Sequence, residues 1–445
     1  MADEFLEILK QHKADGQNAG DQFGGANSGT GNGLPTGLAN NFWFATGIEC
    51  SYPTIDHGKV RRDLLGECGH YTHWQEDFRL VHDLGLRFLR YGLPYYKTHL
   101  GSGRYDWEFA DLVMAEMRRL DITPIMDLMH FGVPDWLGNF QNPELPLHFA
   151  DYADAFAERY PWVRFYTPVN EIYVSANASA QKGIWNEQLK SDRGFVTAIK
   201  HLCAASILAN QRIARRRPDV IIVQSESAEF VHQMTAVPDP KVTLQNELRY
   251  LSLDLLYANR PNSDICLYMM DNGLTRAQYE WFMAGKPPGY QIMGNDYYGR
   301  NEHLLLPDGK MLQAEDIMGW YGLTKLYYER YHKPIMHTET NVTDPDAAPT
   351  WLWKQFCNVL RMRGNGVPVL GFTWYSLTDQ VDWNIELAEK QGTVNPCGLY
   401  DLNRKPRPVA AAYRQLLEEF GQMSLVAHSE VFAVNSGPAR LRTDI

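Results

Sequence analysis

The sequence predicts an α/β protein, a single-domain (β/α)8 TIM barrel with loop insertions. Three observations support this fold class. Short runs of β-branched and aromatic residues alternate with longer amphipathic segments, the short runs number eight, and no internal repeat is visible. The chain has 445 residues, a length that one barrel reaches when its loops carry insertions.

We predict the elements from the spacing of apolar residues, which recur every 2 residues in strands and every 3.6 residues in helices. Strands are predicted at 41–48, 86–91, 123–130, 163–169, 219–224, 291–297, 333–338 and 369–375. Helices are predicted at 72–84, 107–120, 147–160, 195–216, 313–331, 351–363 and 407–420. The interval between the fifth and sixth strands exceeds one helix, so it must hold an insertion. A doubly wound sheet is the alternative, but no G-x-G-x-x-G or G-x-x-x-x-G-K-[ST] follows any predicted strand.

Three segments divide the chain. Residues 1–40 are predicted to form an N-terminal helix and a flexible Gly-rich arm, because 14–40 has too few apolar side chains to offset the entropy of ordering. Residues 41–421 form the predicted barrel, and 422–445 form a C-terminal tail.

Composition limits the classes of function and the partners. The net charge is −11 and no long Lys/Arg run occurs, so we expect no nucleic-acid partner. No apolar run is long enough for a membrane span, and the acidic N-terminus does not resemble a secretory signal. The six cysteines show no C-x-x-C spacing. We therefore predict a cytoplasmic protein without metal or cofactor that acts on a small molecule, and leave self-association as a homo-oligomer open.

Polar residues cluster at the carboxyl ends of the predicted strands, where active sites of such barrels lie. They are Arg90, His130, Asn170, Glu171, Tyr298, Glu339, Trp374 and Tyr375. The fourth and seventh strands lie on opposite sides of the barrel, so Glu171 and Glu339 can flank one substrate. Paired carboxyl groups suit glycoside hydrolysis, in which one is protonated and the other ionised. Arg90 and a tyrosine from the sixth strand would favour the charged form of Glu339; Tyr297 has the opposite parity to Tyr298 and is the alternative.

Residues 42–420 resemble glycoside hydrolase family 1, the β-glucosidase family. The matching stretches are FWFATG at 42–47, YTHWQED at 71–77, LGL at 84–86, TP at 123–124 with His130, TPVNE at 167–171, TE at 338–339, SLTD at 376–379 with Asp382 and Trp383, and GLY at 398–400. The resemblance implies a barrel in which Glu171 is the acid/base and Glu339 the nucleophile supported by Arg90 and Tyr298. It also implies that Asn170 binds the sugar 2-hydroxyl.

The same resemblance implies a sugar pocket whose further members are His130, Asp382, Trp383 and one strand-8 aromatic. In strict register that aromatic is Tyr375, with Trp374 one residue away. The chain departs from the family pattern at Ile172, Thr340-Asn341, Phe131 and Asp382, and Glu49, Cys50 and Ser51 occupy the region of the expected strand-1 glutamine. These departures indicate a divergent member.

These features together predict a retaining exo-β-glycosidase that hydrolyses a terminal β-linked hexose through a covalent glycosyl-enzyme. Retention requires the two carboxyl groups to lie about 5–5.5 Å apart. The loop at 378–386 has three carboxylates and no Lys or Arg, which predicts a non-phosphorylated sugar such as glucose or galactose. The alternatives are a transglycosidase using the same site and a catalytically silent carbohydrate-binding barrel.

Overall fold

The structure of the chain is a computed structural model that describes residues 41–425 and Glu7. The predicted N-terminal arm, except Glu7, and the predicted tail, except residues 422–425, lie outside the described residues. Among the helices of the described part, none combines the length and apolar character needed to cross a membrane.

A closed barrel of eight strands forms the centre of the fold, which confirms the predicted class. The strands are β1 (Trp43–Gly47), β2 (Phe88–Gly92), β3 (Thr123–Asp127), β4 (Phe165–Thr167), β5 (Ile221–Ser227), β6 (Tyr290–Asp296), β7 (Ile335–Glu339) and β8 (Val369–Tyr375). Each pairs in parallel with the next, and β8 pairs with β1 to close the ring. All carboxyl ends therefore point to one mouth.

Helices surround the barrel. The long ones are His70–Leu84, Glu108–Arg119, Leu145–Arg159, Asp192–Arg216, Gly319–Tyr331, Ala348–Gly364 and Pro408–Phe420. The predicted start of the helix at 313–331 was wrong. The helix begins only at Gly319, because Met311–Gln313 forms a strand that pairs with Glu302–Leu305. The local apolar pattern did not distinguish these two outcomes.

The predicted insertion after β5 contains a short strand and four helices. They are Phe230–Gln233, Pro240–Leu248, Leu251–Leu256, Ser263–Asp271 and Arg276–Ala284. Smaller elements lie in the loops. The short helices are Leu64–Glu67, Tyr95–Thr98, Asp135–Leu137, Ile172–Ala176, Asn177–Gln181 and Trp383–Ile385. The short strand pairs are Thr54–Ile55 with Val60–Arg61, His99–Gly101 with Arg104–Tyr105, and Gln380–Val381 with Val394–Asn395.

Alternating side chains of the strands build two apolar layers. Inside the barrel, Trp43 packs against Phe88 and Phe165, with ring centroids 5.4 and 5.2 Å apart. On the outside, Phe44 packs against Phe356 of the helix Ala348–Gly364 at 5.6 Å. Because successive strand residues face opposite sides, neighbouring residues of β1 serve different layers. The apolar interior closes the lower part of the barrel and leaves polar residues at the mouth.

Candidate active site

The mouth of the barrel brings together the side chains that the sequence predicts there. Arg90 lies in β2, Glu339 ends β7, and His130, Glu171 and Tyr298 follow β3, β4 and β6. The first four are nearly inaccessible to solvent, with exposed fractions of 7% or less. Electrostatic interactions are strong in such a site because little water screens them.

Glu339 receives hydrogen bonds from two partners on opposite carboxylate oxygens. The Arg90 guanidinium contacts Oε1 through Nη1, and the Tyr298 hydroxyl donates to Oε2 at 2.6 Å. Arg90 also donates from Nη2 to Oδ1 of Asn170 at 2.8 Å. Charge-assisted hydrogen bonds of this kind stabilise a carboxylate and hold it in one orientation. Arg90 and Tyr298 therefore hold both carboxyl oxygens of Glu339 in place.

Glu171 has a contrasting environment. Burial raises the pKa of Glu171 well above its usual range, and the negative charges of Asp296 and Glu339 raise it further. His130 acts in the opposite direction but does not outweigh these effects. The two glutamates therefore have different surroundings: Glu339 contacts Arg90 and Tyr298, whereas Glu171 is buried beside other carboxyl groups.

The backbone of Glu171 adopts a left-handed conformation, with φ of 39°. Its N–H donates to the carbonyl oxygen of Ser225 at 2.9 Å. The next two N–H groups, of Ile172 and Tyr173, donate to the Glu226 carboxyl group at 3.2 and 3.3 Å. Non-glycine residues rarely adopt this conformation unless neighbours enforce it. Here β5 enforces it and so sets the direction of the Glu171 side chain.

His130 is oriented by Asp127 and faces Asn170. Its Nδ1 lies 2.8 Å from Oδ2 of Asp127, and Nε2 lies 3.2 Å from Nδ2 of Asn170. Nδ1–H donates to the Asp127 carboxylate, and Nε2 faces the side-chain amide of Asn170. Asn170 thus uses its oxygen toward Arg90 and its nitrogen toward His130, and these contacts hold its amide in one orientation.

Cys50, Asp127 and His130 have potential metal-ligating atoms within 4.8 Å of one another. Both Cys50 Sγ, at 3.4 Å, and Asp127 contact the same nitrogen of His130. The Arg90 guanidinium lies 3.6 Å from Asp127, where its positive charge opposes a cation. The geometry thus suits orientation of His130 better than metal binding.

The structure distinguishes between the two adjacent tyrosines. Tyr298 reaches Glu339, whereas the Tyr297 hydroxyl donates to Glu302 at 2.7 Å and its ring stacks on Trp351 at 6.2 Å. Of the two tyrosine side chains, that of Tyr298 therefore reaches the carboxyl group of Glu339, whereas Tyr297 contacts Glu339 through its backbone N–H.

Trp374 does not face the mouth, which corrects one sequence-based expectation. Its side chain is fully buried in the layer between strands and helices, and its Nε1 donates to the carbonyl oxygen of Cys397 at 3.0 Å. Tyr375 has the opposite parity. Its ring lies 5.5 Å from the Arg90 guanidinium and 6.5 Å from the His130 ring. The strand-8 aromatic at the site is thus Tyr375.

The expectation that Asp382 binds the sugar is also wrong, because other groups of the protein donate hydrogen bonds to both oxygens of its carboxylate. Arg62 donates to Oδ2 at 2.9 Å, and the backbone N–H groups of Gln391 and Gly392 donate to the same oxygen at 2.9 Å. The N–H of Thr393 donates to Oδ1 at 2.7 Å. The side chain is fully buried, so it closes its own loop and is not available to sugar hydroxyls.

Trp383, the neighbour of Asp382, is half-buried among aromatic residues at the mouth. Its ring lies 5.9 Å from Phe131 and 6.2 Å from Trp185. The Arg300 guanidinium lies over both Trp383 and Tyr298, at 5.6 and 5.8 Å, and donates to the carbonyl oxygen of Trp383 at 2.9 Å. Arg300 comes from the loop after β6, so inspection of the strand-8 loop alone missed this cation.

Besides Asp127 and Glu226, two further buried carboxyl groups at the mouth, Glu49 and Asp296, had no predicted role. Glu49 accepts from the Ser51 N–H at 2.8 Å and from the Gln380 amide at 3.2 Å. Burial raises the pKa of Glu49, although nearby His130 lowers it. Asp296 ends β6 beside Glu339. The signal for both was an acidic residue at the carboxyl end of a predicted barrel strand.

Comparison with known proteins also indicates a glycoside hydrolase. The family model of glycosyl hydrolase family 1 matches residues 54–246. Beta-glucosidase A of Thermotoga maritima is 25% identical over 397 residues, covering 77% of this chain and 85% of the relative. A phospho-cellobiase of Klebsiella oxytoca is 22% identical over 369 residues, covering 73% of this chain and 79% of the relative. The solved beta-glucosidase of Thermotoga maritima with deoxynojirimycin has a TM-score of 0.72 at 17% identity, covering 86% of this chain and 98% of that one.

The solved structure shows that the barrel has the fold of a beta-glucosidase. With the family model and the sequence relatives, this fold defines the protein as a glycoside hydrolase. The chain resembles glycosyl hydrolase family 1 and diverges from the relatives it matches. Its low identity to the relatives agrees with the departures in the motifs, which leave both glutamates in place.

Proposed function

We propose that the protein is a retaining exo-β-glycosidase in which Glu339 is the nucleophile and Glu171 the acid/base. One observation carries this proposal: Glu339 is bonded by Arg90 and Tyr298, whereas Glu171 is buried beside other carboxyl groups. The first environment stabilises a charge and the second retains a proton, which are the two states that the first step needs.

The reaction takes place in two displacements at the anomeric carbon. Glu339 attacks this carbon and forms an ester bond while the glycosidic bond breaks, and Glu171 gives its proton to the departing oxygen. Water then enters, Glu171 takes a proton from it, and the resulting attack breaks the ester and releases Glu339 as a carboxylate. Arg90 and Tyr298 orient Glu339 throughout.

Leaving-group dependence tests the two roles. Glu339→Ala is expected to lose activity on all substrates, because no glycosyl ester can form. Glu171→Ala is expected to retain the first step with dinitrophenyl glycosides and to lose it with alkyl glycosides, since good leaving groups need little protonation. Equal loss of glycosylation on both substrates in both variants contradicts the assignment. NMR of the first-formed sugar anomer checks retention directly.

For the substrate we propose a neutral terminal β-linked hexose, glucose or galactose. Support comes from the names of the relatives, beta-glucosidase A and 1,4-beta-D-glucan glucohydrolase, and from the acidic surroundings that Glu49, Asp127 and the catalytic pair create. In this proposal His130 and Asn170 bind hydroxyls, Trp383 and Tyr375 pack on the sugar, and Glu49 replaces Asp382 as the acceptor on the far side.

Arg300 and the relationship to a phospho-cellobiase make the phosphorylated sugar the comparison to test. The measurement is kcat/KM for an aryl β-glucoside and for its 6-phosphate. Preference for the neutral sugar supports the proposal. Preference for the phosphate overturns it, and Arg300→Gln then identifies the cation involved if that preference disappears.

The same substrates separate the two alternatives. Release accelerated by an added alcohol, with the glycosyl alcohol as product, indicates a transglycosidase. Binding of a sugar without release from any aryl glycoside indicates a silent carbohydrate-binding barrel.

We further propose a reducing, cytoplasmic location. All six cysteines lie in the described part of the chain as free thiols, four of them buried. Localisation of the tagged full-length chain in its native cell is the test, and recovery from an oxidising compartment contradicts it.

A further inference from the structure

Asp296 is a third carboxyl group beside the catalytic pair, and the two-step mechanism gives it no role. It is fully buried at the end of β6 and pairs in sheet register with Glu339. The Ser225 hydroxyl lies 2.8 and 2.6 Å from its two carboxyl oxygens. The carbonyl oxygen of Ser225 accepts the N–H of Glu171 at 2.9 Å. One serine of β5 therefore contacts both Asp296 and the backbone of Glu171.

We propose that Asp296 is a positioning residue that shares protons with Glu171 and so extends the pH range over which Glu171 remains a general acid. This inference rests on the proposed function, in which Glu171 is the acid/base.

The hydrogen bonds around Asp296 leave room for a proton. A hydroxyl has one hydrogen, so Ser225 can donate to only one of the two Asp296 oxygens at a time. The guanidinium of Arg90 contacts Glu339 instead, which removes the strongest donor. Buried carboxyl groups close together do not all ionise readily, because each charge lacks water and repels the others.

Charged and titratable groups from several neighbouring strands face Asp296 and Glu171. Arg90 of β2, Glu171 after β4, Tyr298 after β6 and Glu339 of β7 all influence Asp296 electrostatically. Burial raises the pKa of Asp296, Glu339 raises it further, and Arg90 lowers it. His130 and Glu226 also face Glu171, with opposite effects on its pKa.

Two coupled carboxyl groups lose their protons in two steps that belong to the pair. The second proton leaves at a higher pH than it would leave either group alone. Glu171 is therefore fully deprotonated only after this second step. Asp296→Asn removes one titrating group while retaining shape and an acceptor for Ser225. The alkaline limb of kcat/KM is therefore expected to move to lower pH by about one unit.

The experiment measures kcat/KM against pH for the wild type and Asp296→Asn with an aryl β-glycoside that needs acid assistance. The shift is expected there and not with the dinitrophenyl glycoside, which does not need the acid; a structural defect would affect both substrates. Glu226→Gln is the matched control on β5, and its shift is expected to be smaller. An unmoved limb in Asp296→Asn, or an equal shift in Glu226→Gln, overturns the inference.

Ser225→Ala provides a second variant that keeps both carboxyl groups. Without the hydroxyl donor the charged form of Asp296 is less favourable, so less negative charge faces Glu171 and the limb is expected to move to lower pH, in the same direction as in Asp296→Asn. A shift to higher pH, or none, contradicts the inference even if Asp296→Asn does not fold. Failure of the proposed function has a different signature, because Glu171→Ala would then show no dependence on the leaving group.

Discussion

Tyr297 and Tyr298 are adjacent in the chain, yet their hydroxyl groups donate to carboxyl groups with different surroundings. Tyr298 contacts Glu339 at the mouth, and Tyr297 contacts Glu302, the first residue of the strand Glu302–Leu305 outside the barrel. Glu302 also accepts the N–H groups of Met318 and Gly319 at the start of a helix. One residue therefore supports chemistry, and its neighbour supports the fold.

Removal of the Tyr298 hydroxyl is expected to lower kcat. A hydrogen bond to a charged group contributes about 2 kcal/mol, which corresponds to about a thirtyfold decrease in Tyr298→Phe. Steady-state kinetics on an aryl β-glycoside provide the measurement. Tyr297→Phe is the matched control and should reduce stability more than kcat. Equal kcat losses in the two variants would contradict the distinction between these residues.

Asp382 is expected to contribute to stability and not to sugar binding. Asp382→Asn leaves Arg62 with one fewer charged partner and places an amide hydrogen against backbone donors, so the free energy of unfolding should fall by about 3–5 kcal/mol. Urea unfolding measures this change. Asp135→Asn is the control, because that exposed partner of Arg61 should contribute at most about 1 kcal/mol. A stable Asp382→Asn with a raised KM would restore the sugar-binding hypothesis.

At the scale of one element, β8 shows how alternation separates function from packing. Trp374 shares its side of the strand with Phe372, which packs on Phe356 at 6.0 Å. Tyr375 faces the other way, where its ring lies so close to Gly47 that a Cβ added to Gly47 would clash with a ring carbon. The mouth-facing aromatic therefore depends on a glycine in the neighbouring strand β1.

Two tryptophans of this region are expected to give opposite phenotypes. Trp374→Ala should lower the free energy of unfolding by about 3–5 kcal/mol, because it leaves a cavity in the outer layer. Trp383→Ala should raise KM with a smaller loss of stability, since its ring is half-buried at the mouth. Denaturant unfolding measures the stability of both variants. Steady-state kinetics, under conditions in which both variants are folded, measure KM. A raised KM in Trp374→Ala alone would reverse our assignment.

At the scale of the whole molecule, buried histidines make folding sensitive to acid. Burial lowers the pKa of His201 and of His337 to about 3. In the unfolded chain a histidine has a pKa of about 6.5, so below this pH the unfolded state binds protons that the folded state does not accept. Their contribution to stability is complete above pH 6.5 and is lost progressively as the pH falls toward 3.

We therefore expect the free energy of unfolding to fall by about 1.4 kcal/mol per pH unit for each of these histidines between pH 6 and 5. Urea unfolding at several pH values gives the slope. His201→Gln should make it shallower by about one histidine's share, whereas His73→Gln, at an exposed position, should leave it unchanged. An unchanged slope in His201→Gln would show that His201 does not control acid sensitivity.

The sequence alone determined the order of β/α units, the eight strands and the strand ends that carry Arg90, Glu171 and Glu339. These features follow from local periodicity and from the rule that parallel barrel strands end at one mouth. Tertiary structure decided which aromatic of β8 faces that mouth, because strand parity depends on packing against helices far along the chain. It also paired Asp382 with Arg62, 320 residues away, and placed Asp296 beside Glu339. Such contacts depend on how distant loops meet, and no local pattern encodes that meeting.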